Sequence, residues 1–128
     1  MVTLLHNPKF ESFIRPNGHN EFTEFLKTLP QKDQEKVLVV IQQIEREGLV
    51  TAQRLQWVKK IEDNLFEIRA KLGHNIQRVF YFHFSGSRYI ITHGFSKKTA
   101  KTPQREIRHA EQLRSEFYGG TKYGYHQV

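Results

Sequence analysis

The chain has no cysteine among its 128 residues. Disulfides and thiolate metal sites are thereby excluded, and a cytoplasmic location is the simple expectation. No apolar run approaches the roughly 20 residues that cross a bilayer. The N-terminus lacks the basic segment and apolar core of a secretory signal, so no membrane partner is expected. The seven histidines are scattered, with no HxH or HExxH spacing, so no metal site and no cofactor is expected. No internal repeat or low-complexity tract occurs. The most informative scarcity is of acid: from Ile68 to Arg105 there is neither aspartate nor glutamate.

That stretch holds Arg69, Lys71, Arg78, Arg88, Lys97, Lys98, Lys101 and Arg105. The other twelve of the twenty Lys and Arg face all thirteen Asp and Glu, so the formal net charge of +7 belongs to this one segment. Such a segment repels itself, which suits a polyanionic or acidic ligand. Ten Phe, five Tyr and one Trp fit a folded globule rather than a disordered tail. The length suits one domain, read as residues 1–118 with a flexible tail at 119–128.

The spacing predicts α-α-β-β-β-α, with a possible N-terminal edge strand at Phe10–Arg15. Asn20 is a suitable N-cap for a first helix bearing Phe22, Phe25, Leu26 and Leu29, which Pro30 stops. Lys32–Glu47 carries an apolar stripe of Val37, Val40, Ile41 and Ile44, ending at Gly48. The short link between these helices predicts an antiparallel helical hairpin. Leu49–Arg54 reads as a connector, and Leu55–Ile61 as a strand or an irregular lead-in. Three strands follow, Leu65–Lys71, Ile76–Phe84 and Tyr89–Phe95, joined by Gly-containing turns as an antiparallel meander. Thr102 and Pro103 are favoured residues for opening a helix. Ile107, Ala110, Leu113 and Phe117 form its stripe, and Gly119-Gly120 closes it. The expected fold class is α+β: a small antiparallel sheet of three to five strands packed against an N-terminal helical hairpin, with a C-terminal helix, in two layers.

Folding the first β-hairpin about Gly73-His74 puts Arg69 directly opposite Arg78, and Lys71 opposite Ile76. Facing like charges are unfavourable, so a folding-only explanation would have an acid at one of them. With Gly86-Ser87 as a two-residue loop, Tyr89, Ile91, His93 and Phe95 join the Arg78 face and Lys97 lies near Ile76. A three-residue loop turns the other set inward. In the first register Arg69, Lys71, Arg78 and Lys97 converge on one cationic sheet face. Guanidinium groups hold phosphate oxygens bidentately, and lysine supplies a point charge. RNA is cut without a metal when its own 2′-OH attacks the adjacent phosphate; the protein then orients the strand, stabilises the added negative charge and moves protons. A lysine crowded by cations has a lowered pKa and suits proton transfer.

The plainer alternative for Arg78 is a structural ion pair with Glu67, since a buried charge needs a partner. For Arg69 and Lys71 it is simple solvation, and for Lys97, Lys98 and Lys101 an ordinary loop before a helix. For His93 it is a core or rim position. With Arg78 read as a phosphate ligand, Arg78→Ala is expected to leave the fold intact and to abolish activity.

The stretches Leu65-Phe66-Glu67-Ile68-Arg69, Arg78-Val79-Phe80-Tyr81-Phe82 and His93-Gly94-Phe95-Ser96-Lys97-Lys98-Thr99-Ala100-Lys101-Thr102-Pro103, followed by Arg105-Glu106-Ile107, resemble the phage-derived Gp49-like/HigB branch of the RelE/ParE toxin superfamily. The resemblance runs from about Phe22 to Phe117. It implies a RelE-like sheet packed on helices and a type II toxin–antitoxin toxin. Many members are mRNA interferases: metal-independent, ribosome-dependent endoribonucleases that act in the A site and arrest translation. It also implies a cognate antitoxin, often a HigA-like helix-turn-helix protein. By motif, Arg69, Arg78 and Lys97 or Lys98 correspond to the family's basic catalytic residues. Lys71, Lys101, His93 and Arg105 are candidates for RNA binding. The general base stays open, because Tyr118, Tyr123 and Tyr125 lie beyond the matching motif. Two other functions are compatible with the resemblance and the charge: a ParE-type inhibitor of DNA gyrase that acts by protein contact, and a plain RNA-binding module.

Overall fold

The computed structural model describes residues 7–97 and 101–122. Nine elements follow one another: β1 (Lys9–Ser12), α1 (Glu21–Lys27), α2 (Gln31–Glu47), α3 (Leu49–Arg54), β2 (Val58–Glu62), β3 (Leu65–Leu72), β4 (Asn75–Ser85), β5 (Arg88–Ser96) and α4 (Gln104–Lys122). The strands form one sheet in the order β1-β5-β4-β3-β2. The four later strands pair antiparallel, as the meander requires. The edge strand β1 instead runs parallel to β5, so the sheet is mixed. Its pairing is pinned by Arg88, which donates twice to Glu11 at 2.7 and 2.9 Å.

The helices divide between the two faces. Val37, Val40, Ile41 and Ile44 of α2 are buried with Phe22 and Leu29 against Ile68, Ala70, Val79 and Tyr81 of the sheet. Each fully buried aliphatic side chain contributes about 1.5–3 kcal/mol. This stripe therefore anchors α2 better than the intrinsic helix preference of its residues. Asn20 caps α1 as expected, its side chain accepting from the Thr23 amide at 3.1 Å. The two helices pack on the sheet, α1 on β5 and α2 on β3, more than on each other. On the opposite face Ile107 and Ala110 of α4 join Leu65, Phe80 and Phe95. The domain thus has three layers rather than two. Alternation requires it: Val79 and Tyr81 point one way while Phe80, fully buried, points the other and needs its own cover.

Several boundaries differ from the sequence reading. The connector Leu49–Arg54 is helical, with Ala52 fully buried. The helix α4 begins at Gln104, with Pro103 accepting the Glu106 and Ile107 amides, because the Thr102 hydroxyl is committed elsewhere. It passes through Gly119-Gly120, its expected close, to Lys122, and residues 123–128 lie outside the described residues. The β4–β5 ladder starts in the two-residue register at Ser85↔Arg88, slips by one at Tyr89–Ile91, and returns at Gly94–Ser96. The two compensating bulges turn Tyr89 and Ile91 toward the α2 face. His93 and Phe95 keep the Arg78 side, as expected.

Gly94 sits where α1 presses on the sheet. A Cβ there would lie 2.5 and 2.6 Å from ring carbons of Phe25 and 3.0 Å from the Arg78 carbonyl. Gly94→Ala is therefore expected to destabilise the fold by about 1–3 kcal/mol, as measured by urea denaturation. A variant as stable as the parent would show that α1 is free to shift.

Candidate functional site

The first hairpin closes as expected: Leu72↔Asn75 flank Gly73-His74, Lys71 faces Ile76, and Arg69 faces Arg78. The second hairpin brings Lys97 alongside, its amide donating to the Ile76 carbonyl at 2.9 Å. Arg78 lies between β3 and β5, opposite Phe95 on that side.

Arg78 is buried, and Glu67, on the same face of β3, is its partner. The Arg78 side chain is 4 % exposed and that of Glu67 0 %. A guanidinium nitrogen of Arg78 donates to one carboxylate oxygen of Glu67. The other oxygen accepts from the Thr102 hydroxyl at 3.1 Å, and Thr102 lies 3.4 Å from the Lys97 ammonium. Burial lowers the Arg78 pKa, Glu67 counteracts the shift, and Arg69 adds to it. Guanidinium nonetheless stays protonated at any physiological pH. Lys97 has a depressed pKa, chiefly through burial, and then through Arg78, Lys59 and Arg69 with Glu67 opposing.

The sequence reading missed Lys59. It pairs directly with Glu67 across β2 and β3, so it shares the face. The run Val58-Lys59-Lys60-Ile61 shows no alternation in burial, so only the pairing with β3 puts Lys59 on this face. Lys59, Arg69, Arg78 and Lys97 thus surround one carboxylate, at the end of the sheet where α4 begins.

Lys71, Arg105 and His93 are not among the groups at Glu67. Arg69 also lines a cleft with Lys71, and neither makes an ion pair among the described residues. Lys101 is exposed in the loop before α4. Arg105 is 81 % exposed, 3.8 Å from Glu106. Lys98 lies outside the described residues. His93 is only 5 % exposed and serves packing. Its Nε2 is 3.0 Å from Glu106 and its Nδ1 3.2 Å from the Thr92 hydroxyl, and its ring abuts His109 at 4.8 Å. His109 contacts Glu21 at 2.6 Å, and Arg15 bridges Glu21 and Glu116. This chain of groups ties α4 to α1 and to the segment after β1, away from any strand lying on the surface.

A five-stranded mixed sheet with helices, one of them C-terminal, is consistent with the RelE-like toxin fold. The model of the family described as phage derived protein Gp49-like (DUF891) matches residues 24–115, and the chain belongs to that family, which is of the RelE/HigB toxin type. The family places it among toxins of toxin–antitoxin systems, with an antitoxin as partner. No curated protein matches the chain. No helix among the described residues is long and apolar enough to cross a membrane.

Because Arg78 is buried against Glu67, Arg78→Ala does not leave the fold untouched. Arg78→Ala and Glu67→Ala are each expected to cost about 3–5 kcal/mol, with the double variant costing clearly less than their sum. A double-mutant cycle by urea denaturation checks this; additive losses would show that the pair is not coupled.

Burial, with His109 alongside, holds the His93 pKa below its usual 6.5 despite Glu106. The unfolded chain therefore takes up a proton first. Stability from this group is full above about pH 6.5 and is lost as pH falls below it. Melting curves at pH 7.5 and 5.5 should show a drop in Tm that His93→Gln reduces; an equal drop would assign the effect to other groups.

Proposed function

We propose that the protein is a metal-independent, ribosome-dependent mRNA endoribonuclease, and that this activity makes it the toxin of its pair. The observation that carries the proposal is the convergence of Lys59, Arg69 and Lys97 over a single carboxylate already engaged by Arg78. A site with more positive charge than its own acids neutralise is suited to phosphate.

In the proposed reaction the 2′-OH of the substrate attacks the adjacent phosphorus. The 2′-O–P bond forms and the P–O5′ bond breaks, leaving a 2′,3′-cyclic phosphate and a 5′-hydroxyl. Arg69 takes the phosphate oxygens and stabilises the charge added at the transition state. Lys97, whose neutral form is reached below the usual lysine range, accepts the 2′-hydroxyl proton, and the departing 5′ oxygen takes up a proton from water. The Tyr118 hydroxyl donates to the His83 carbonyl, toward the other end of β4 from Arg78, and has no part in the reaction. Arg78 is too enclosed to take the phosphate. It fixes Glu67 and Thr102 beneath Arg69 and Lys97. Lys101 and Arg105, exposed at the start of α4, lie along the path of the flanking strand. The partner is a helix-turn-helix antitoxin, and the mRNA is met in the ribosomal A site.

A reconstituted translation reaction with a defined mRNA tests this. Arg69→Ala and Lys97→Ala should each slow cleavage about 100-fold or more with an unchanged Tm. In the parent the rate should rise with pH up to the lowered Lys97 pKa. Lys97→Arg keeps the charge but removes the base, so it should stay slow at every pH. Folded variants that cut like the parent would overturn the assignment. Intact mRNA with an SOS response in producing cells would favour a gyrase inhibitor instead.

A further inference from the structure

Outside the cluster around Glu67, a cleft of about 370 Å³ opens between α2 and the adjoining ends of β3 and β4. Its walls include Trp57, the amide residues Gln43 and Gln56, and the cations Lys36, Arg69 and Lys71. The size falls within the range of small-ligand sites, about 300–1,000 Å³. Trp57 is half-buried, packed at the margin of the α2-face core, and its carbonyl accepts the Arg69 amide at 2.8 Å. The aromatic wall and the arginine are thus held together by the ladder.

The backbone at Gln56 gives a second, independent indication. The helix α3 ends in a Schellman motif: the Gln56 amide donates to Gln53 at 3.1 Å and the Trp57 amide to Ala52 at 2.8 Å. The position between them requires a left-handed residue, and Gln56 has φ of 63°. Glycine is the residue that meets this requirement without strain. Retaining glutamine there sacrifices stability, and such strain gathers where a side chain is needed for function.

We infer that this cleft holds one unstacked nucleobase of a single-stranded RNA. Trp57 supplies the stacking wall, Gln43 and Gln56 bond to the base edge, and Lys36 and Lys71 meet the phosphates on either side. The inference rests on the RNA reading above and adds a base-reading subsite to it. Arg69 belongs to both places, so a strand held at Arg69 and Lys97 brings its neighbouring base to the cleft. Single-stranded RNA is recognised in this way, by splayed bases on aromatic rings with amides on their edges.

Trp57 is the sole tryptophan, so its fluorescence reports on this cleft. The full chain is titrated with an end-labelled RNA trinucleotide and with its abasic counterpart, following label anisotropy and tryptophan emission together. The expected result is saturable quenching by the RNA and little by the abasic chain. Lys36→Ala and Gln43→Ala should weaken RNA binding about fivefold or more. Gln56→Gly should raise Tm by a few degrees while weakening binding. RNA bound with emission unchanged, or equal quenching by the abasic chain, overturns the subsite and leaves the RNA reading standing. Absence of RNA binding also overturns it, and mRNA cleavage by the same preparation then decides whether the wider reading falls too. Unaltered affinity in Gln56→Gly, Gln43→Ala and Lys36→Ala together would overturn it as well.

Discussion

The ion pair of Arg78 with Glu67 is the constraint around which the functional face is built. Both groups are withdrawn from water, and a charge so placed needs its partner and further hydrogen bonds, although the Arg78 Nε finds none among the described residues. Thr102 supplies one of these from the far side, which draws the loop before α4 onto the sheet. Glu67 therefore joins β3, β4 and the residue just ahead of α4. The cations above it inherit fixed positions from that buried arrangement.

The same pair shapes the electrostatics. The formal charges of Arg78 and Glu67 cancel at depth, so the surplus falls on Lys59, Arg69 and Lys97 nearer the surface. The facing arginines Arg69 and Arg78 are less costly than their formal charges suggest, because Glu67, two residues before Arg69 and diagonal to Arg78, pairs with Arg78. Of the eight cations in the acid-free stretch, Arg88 is spent on holding β1 through Glu11 and Arg78 on Glu67. The charge excess visible in the sequence thus divides between structural and surface roles.

What was legible in the sequence followed from local rules. The turn at Gly73-His74 closes a tight hairpin, and that alone fixes Arg69 against Arg78. The apolar stripe of α2, the Asn20 cap and the strands from Leu65 onward follow from periodicity and capping. Features set by distant partners were hidden. The two bulges, one in β5 and one in β4, are compensating slips with no local signal, so Tyr89 and Ile91 faced the unexpected way. The parallel seating of β1 depends on a strand some eighty positions later. The helix α4 runs through Gly119-Gly120 because packing of Phe117 and Tyr118 against Phe82 and Phe84 outweighs a weak helix former. The burial of Arg78 was visible only as an alternative, since sequence showed Glu67 at the right parity but not the third partner, Thr102.

The seating of β1 beside β5 bears on how the chain is made. The first strand emerges from the ribosome long before Arg88, so it must wait unpaired until most of the domain has been synthesised. Until then the outer edge of β5, once made, stays uncovered, and edge strands of that kind recruit stray partners. The cationic face depends on still later residues, Lys97 and Thr102. A truncated or nascent chain therefore lacks the assembled face, and the completed polypeptide acquires it only as its last third folds.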